Sequence, residues 1–151
     1  MIFNCKKLEL SEAIVNVSKA VPSKSSIPQL EGIKVSLNGN VLTLTGYNLE
    51  LGITTSVPVE NASSNGNADQ DGYIINARLF SEMIKKIPSD DINISINLNG
   101  SMKAKINAGS INCNIAVLSA KDYPELPNTS DGDTVVVSQA TLKSMISETI
   151  Y

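Results

Sequence analysis

The chain has 151 residues, 42% hydrophobic and only 4% aromatic, with no His, no Trp, two Cys and a net charge of −3. That length accommodates one ordinary domain with residues to spare, and such a domain folds without disulfides. The absence of His excludes Ser-His-Asp, Cys-His and His-zinc chemistry, and the acidic balance argues against a protein that coats nucleic acid by bulk attraction.

The opening residues lack a basic segment followed by a long apolar core, and no later run is long enough to span a bilayer. A cytoplasmic location with no membrane partner is expected. Cys5 and Cys113 stand far apart inside apolar runs, which suits buried free thiols better than a zinc site or a disulfide framework.

Residues 2–5 are short and apolar and read as a strand. Leu10, Ile14, Val17 and Val21 then recur at steps of four, three and four, the period of an amphipathic helix. Ser11 or the stretch 7–9 opens it, Glu9 and Glu12 suit its positive N-terminal end, and Pro22 stops it. After a polar loop, Ile33, Val35 and Leu37 alternate with Lys34 and Ser36, and Asn38-Gly39 precedes Val41, Leu42 and Leu44. This is a hairpin signal, with a type I′ turn expected at Asn38-Gly39 because both residues tolerate positive φ. Gly46-Tyr47-Asn48 marks a second turn, and residues 49–59 supply another extended run. Residues 60–71 are small and polar, and an exposed, mobile loop is expected there.

A second round starts at residues 73–75, a short apolar strand, with Asn76 as N-cap of a helix carrying Leu79, Phe80, Met83, Ile84 and Ile87 and stopped by Pro88. Ile92, Ile94, Ile96 and Leu98 alternate with Asn93, Ser95 and Asn97, and Asn99-Gly100 repeats the turn signal. Met102, Ala104, Ile106 and Ala108 make the next strand, and Gly109-Ser110 turns into the run 111–118. Both halves spell strand, helix, strand, turn, strand, turn, strand, which reads as an internal duplication. Eight strands and two helices predict an α+β domain of two repeated β-α-β-β-β units, with the helices packed on one face of the sheets. A Pro- and Asp-rich connector follows. The division read from this is a domain at 1–121, a linker at 122–133, and a third strand-helix opening at 134–151, with a strand at 134–137 and a helix from Ser138 onward.

The repeated unit that restarts after a linker resembles the bacterial DNA sliding clamps, the beta subunits of DNA polymerase III. Lys24-Ser25-Ser26-Ile27-Pro28 is similar to that family's basic loop, Thr45-Gly46-Tyr47-Asn48-Leu49-Glu50 to its Gly-x-Asp-Leu-Glu turn, and Asn76-Ala77-Arg78-Leu79-Phe80 to the start of its second helix. Leu118-Ser119-Ala120-Lys121-Asp122-Tyr123-Pro124 resembles its domain-exit segment, and the Ser138 stretch resembles the first helix of its central domain. Lys24 stands where Arg is usual and Asn48 where Asp is usual, which argues against a bidentate contact from position 24. The resemblance implies the clamp fold, with 134–151 as the truncated start of the central domain. It implies a non-catalytic processivity factor without cofactor, forming a head-to-tail homodimeric ring around duplex DNA in the full-length protein. DNA polymerase III alpha subunit and clamp loader would bind through domains absent here.

On the second helix Arg78, Ser81, Glu82 and Lys85 share a face opposite the apolar stripe. Lys24 and Arg78, then Lys85, are the leading DNA-phosphate candidates, with Lys19 and Lys86 added by proximity; backbone contacts that read no bases suit a ring that slides. By themselves these residues also fit an ordinary solvated helix face. The resemblance places Cys113 and Ile115 on an edge strand at the subunit interface, against the simpler reading of a core-facing strand. Asp90-Asp91 fits a turn rather than an acid-base pair. The competing function is an unrelated cytosolic α+β protein-interaction domain, which a fold without two adjacent helices and related halves would favour.

Overall fold

A computed structural model describes residues 1–64, 72–97, 102–127 and 134–150. The predicted turn at Asn99-Gly100, Leu98 before it, residues 65–71 of the expected loop and 128–133 of the linker lie outside the described residues.

The first unit comprises β1 (Ile2–Lys6), α1 (Lys7–Ser18), β2 (Gly32–Asn38), β3 (Val41–Tyr47) and β4 (Gly52–Pro58). A short strand, β5 (Glu60–Ser63), follows. The second unit comprises β6 (Tyr73–Asn76), α2 (Ala77–Lys86), β7 (Asp91–Asn97), β8 (Lys103–Ala108) and β9 (Ile111–Ser119), and α3 (Gln139–Thr149) comes last. Among the described residues the strands form one nine-stranded sheet in the order β4-β3-β2-β6-β9-β8-β7-β1-β5.

That order shows how the halves interlock. Each unit lends its first strand to the other: β1 pairs with β7 and β6 pairs with β2, both antiparallel. The two ends of the order, β4 and β5, are separated in the chain only by Val59, so the sheet turns back on itself. Residues 60–63, expected as loop, are therefore strand. Their own side chains bury little, but β1 offers them a ladder, with Ile2 opposite Ser63 and Asn4 opposite Glu60. Backbone pairing overrides the polar composition.

Both helices lie over the same core. Leu10, Ala13, Ile14 and Val17 of α1 and Phe80 and Ile84 of α2 join Phe3, Ile33, Leu42, Leu44, Ile94, Ile106 and Val117 in one apolar cluster. Each fully buried Leu, Ile or Phe side chain is worth about 1.5–3 kcal/mol relative to exposure, so this cluster is the main stabilising element. The helices also pack on each other, the layout that separates the clamp reading from an unrelated interaction domain. Leu79, expected on the apolar stripe, is instead exposed. A second cluster, Leu30, Tyr47, Ile74, Ala120 and Tyr123, lies across the sheet, because Ile74 alternates with the core-facing Tyr73 and Ile75.

Three local expectations need correcting. The β2-β3 hairpin pairs Asn38 with Val41, so its two loop residues are Gly39 and Asn40, one position later than read. Gly39 has φ +56 whereas Asn40 does not share a positive φ, which is the type II′ pattern with Gly first. Gly46 is not a turn residue: it sits inside β3, where a Cβ would collide with the Val17 carbonyl oxygen of α1. The turn lies beyond it, where the Asn48 side-chain oxygen accepts from the backbone N–H of Glu50 (3.0 Å) and Leu51 (2.6 Å). Finally, residues 134–137 are not strand, since no described strand pairs with them and Val135 and Val136 are exposed. The helix after them does form, capped by Ser138, which accepts from Thr141 N–H at 3.1 Å, but none of its residues is buried.

Candidate nucleic-acid interface

The helix layer carries a groove of about 520 Å³ where α1 ends and α2 begins. Ser18, Val21, Pro22 and Ser23 line one side, and Arg78, Ser81, Glu82 and Lys85 the other. The grouping follows from local rules. Asn76 accepts from Leu79 N–H at 3.1 Å and fixes where α2 starts, which aims exposed Arg78, Glu82 and Lys85 and half-buried Ser81 along one stripe while Ala77, Phe80 and Ile84 are buried.

The loop carrying Lys24 is held by polar and apolar anchors together. Ser25 N–H donates to Glu31 Oε1 at 2.9 Å, and Ile27 N–H donates to Ser25 Oγ at 3.1 Å. A 3₁₀ turn at Pro28–Glu31, which sequence periodicity did not suggest, buries Leu30 in the second cluster and brings Glu31 to the groove wall. Lys24 is exposed, one residue beyond Ser23 of the lining. Lys19 is exposed next to Ser18, with its Nζ 3.3 Å from Asn16 Oδ1.

The structure therefore brings Arg78, Lys85 and the approaches from Lys19 and Lys24 to one groove. Lys86 is exposed on the same helix but does not line it. Lys85 and Lys86 also occupy the last turn of α2, where cations complement the negative helix end. Two carboxylates also line the site: Glu31, tied to the loop, and Glu82. Arg78 Nε donates to Glu82 Oε1 at 3.0 Å, and that bond and charge, with smaller help from Lys86 and Lys85, hold the Glu82 carboxyl below its usual range. The i,i+4 spacing of Arg78 and Glu82 was the signal available in the sequence. The exposed side of α1 differs, with Leu8, Val15 and Glu12.

The other predicted site is at the sheet edge. Ile111–Ala108 and Lys103–Ala116 bound the pairing of β9 with β8, whereas β6 meets β9 only at residues 117–119. Among the described residues, positions 111–116 thus have one strand neighbour. Ile115 is buried and Cys113 is half-buried against the main core, while Asn112, Asn114 and Ala116 face outward. The edge and core-facing readings describe two directions of one strand: open in the hydrogen-bonding direction, apolar toward the core. Asp91 is engaged in an exposed pair across β1 and β7, accepting from Lys6 Nζ at 2.6 Å. No helix among the described residues is long and apolar enough to cross a membrane.

Comparison with known proteins gives one answer. A beta sliding clamp of Halalkalibacterium halodurans is 34% identical over 138 residues, covering 90% of this chain and 36% of that protein. The beta sliding clamp of Bacillus subtilis is 30% identical over 153 aligned residues, covering all of this chain and 40% of the relative. The solved DNA polymerase sliding clamp from Bacillus subtilis superposes with a TM-score of 0.83 at 27% identity, over 97% of this chain and 38% of that one. The chain thus spans about two fifths of the length of its relatives. The family model of the DNA polymerase III beta subunit, N-terminal domain, matches residues 1–127, and the chain belongs to that family.

Proposed function

We propose that this chain is the N-terminal part of a DNA sliding clamp subunit, a cytoplasmic, non-catalytic processivity factor that encircles duplex DNA and tethers the replicative polymerase. The observation that carries this reading is the convergence of Arg78, Lys85 and the Lys24 loop on one groove of the helix layer. Phosphate contacts from such a wall hold DNA without reading its sequence. The polymerase alpha subunit and the clamp loader would bind elsewhere in the whole protein, beyond the domain at 1–121 and the linker at 122–133. The open edge at Cys113 and Ile115 supports a head-to-tail subunit contact, in which a partner strand would complete the β9 ladder. At physiological salt the chain alone binds duplex DNA weakly or not measurably, because a few phosphate contacts without topological linkage give little affinity.

The test is a titration with a short labelled duplex at low salt. Neutralising Lys24, Arg78 and Lys85 together should weaken binding and flatten the plot of log affinity against log salt by about 2–3, near 0.9 per lost contact. Unchanged binding and slope would refute the assignment, and tight binding by the chain at physiological salt would refute the need for a closed ring.

A further inference from the structure

Resting on the DNA-contact reading above, we propose that Glu82 is an intramolecular competitor for DNA phosphate at Arg78, set to keep that contact weak. Arg grips phosphate most firmly with two parallel N–H donors, and the Nε–H edge of the guanidinium is one of the edges that presents such a pair. In this groove Arg78 Nε already donates to Glu82 Oε1 at 3.0 Å. A phosphate arriving at that edge must displace the carboxylate, or else take the end-on pair of Nη donors while sharing the guanidinium charge with Glu82.

The pair is poorly suited to a stabilising role. Its side chains are 86% and 49% exposed, and an exposed i,i+4 pair contributes little to folding. What it does change is the charge and geometry offered by the groove. The other carboxylate there, Glu31, is committed to Ser25 N–H and the shape of the Lys24 loop. Glu82 is thus the acidic group in the lining that acts on a candidate phosphate ligand directly. A clamp that slides gains from contacts that exchange easily, and competition from a tethered carboxylate supplies that exchange at every phosphate passed.

The experiment is a double-mutant cycle on the 151-residue chain with the same labelled duplex, over a series of salt concentrations starting from low salt. Glu82→Gln preserves shape and exposure, Glu82→Ala serves as a second variant, and thermal melts check that each variant is folded. Glu82→Gln should tighten binding several-fold at low salt and steepen the salt dependence by about 0.9, so that the gain shrinks about 3.5-fold over a fourfold rise in salt. In an Arg78→Ala background most of that gain should vanish. If Arg78→Ala weakens binding but Glu82→Gln adds nothing, or adds the same amount with and without Arg78, the competitor role is wrong while the DNA reading stands. If Arg78→Ala, with or without the Glu82 changes, leaves binding unaltered, or if no binding occurs even at low salt, the DNA reading itself fails and takes this inference with it.

Discussion

Gly46→Ala is a small substitution with a large expected effect. Gly46 lies within β3 under the last turn of α1, and an added Cβ would overlap the Val17 carbonyl oxygen while lying 3.0 Å from the Val17 carbonyl carbon and 3.0 Å from Val21 Cγ2. Two of these three atoms are backbone and cannot rotate away, so the end of α1 must lift off the sheet. Overpacking of this kind costs about 1–3 kcal/mol. Stiffening of the unfolded chain returns about 0.4–1 kcal/mol, leaving a net loss on the order of 1–2 kcal/mol. With a urea m-value near 2 kcal/mol/M, the unfolding midpoint should fall by about 0.5–1 M at unchanged m. Gly39→Ala is the control: it meets open space, and its φ of +56 makes the substitution costly by about 1–2 kcal/mol through backbone strain alone. Adding Val21→Ala should recover part of the loss in Gly46→Ala and none in Gly39→Ala. A Gly46→Ala midpoint equal to or above that of the parent would refute the close approach of α1 to β3.

Three further outcomes follow from individual contacts. Asn76→Ala should cost about 1 kcal/mol in urea unfolding by removing the cap on Leu79 N–H, with Asn76→Asp restoring most of it. Alkaline pH should destabilise the fold. Burial, aided by Glu9 and Asp91, pushes the Cys5 thiol from 9.0 up to about 12, and burial pushes the Tyr123 phenol from 10.0 up to about 12. Both folded values exceed the unfolded ones, so this stability is complete below pH 9 and is lost as pH rises toward 12. Cys5→Ala and Tyr123→Phe should each flatten the decline, and equal slopes in parent and variants would contradict it. Tyr123→Phe should also be tolerated at neutral pH, because among the described residues the buried hydroxyl meets at most a weak acceptor in the Tyr47 backbone. In thiol labelling at neutral pH, half-buried Cys113 should react before buried Cys5, and comparable rates in the folded protein would overturn the assigned burial.

Periodicity made most of the architecture legible because it reports one-sided burial directly. Leu10, Ile14 and Val17 on α1, and the alternation of Ile92, Ile94 and Ile96 on β7, are buried as their spacing required. The misreadings arose where a second element decides. Residues 60–63 have strand conformation only because β1 lies beside them, and Gly46 is glycine only because α1 crosses it. Asn-Gly chemistry fits a turn at 38–39 or at 39–40, and cross-strand pairing of Asn38 with Val41 chooses the second. For the site, helical spacing gave the stripe of Arg78, Ser81, Glu82 and Lys85. It could not give Glu31, whose place depends on a 3₁₀ turn anchored across the sheet by Leu30.

The exchange of first strands bears on how the groove is held. Because β1 extends the second unit's ladder and β6 the first unit's, neither half has its full set of strands alone, and the two helices are fixed relative to each other by shared strands as well as by their own contact. The groove falls at that junction, with α1 and its loop supplied by one half and α2 by the other. Yet the halves are unequal in charge. The exposed side of α1 offers Leu8, Glu9, Glu12 and Val15, whereas α2 offers Arg78, Lys85 and Lys86 against the single acid Glu82. The two units share one frame, and the basic charge at the groove lies on one helix and one loop of it. Substitutions that reverse charge on the exposed face of α1, such as Glu12→Lys, should therefore alter the salt dependence of DNA binding less than Arg78→Ala does. An equal or greater effect would mean that both helices contact phosphate alike, and that the asymmetry of the groove has no bearing on how DNA is held.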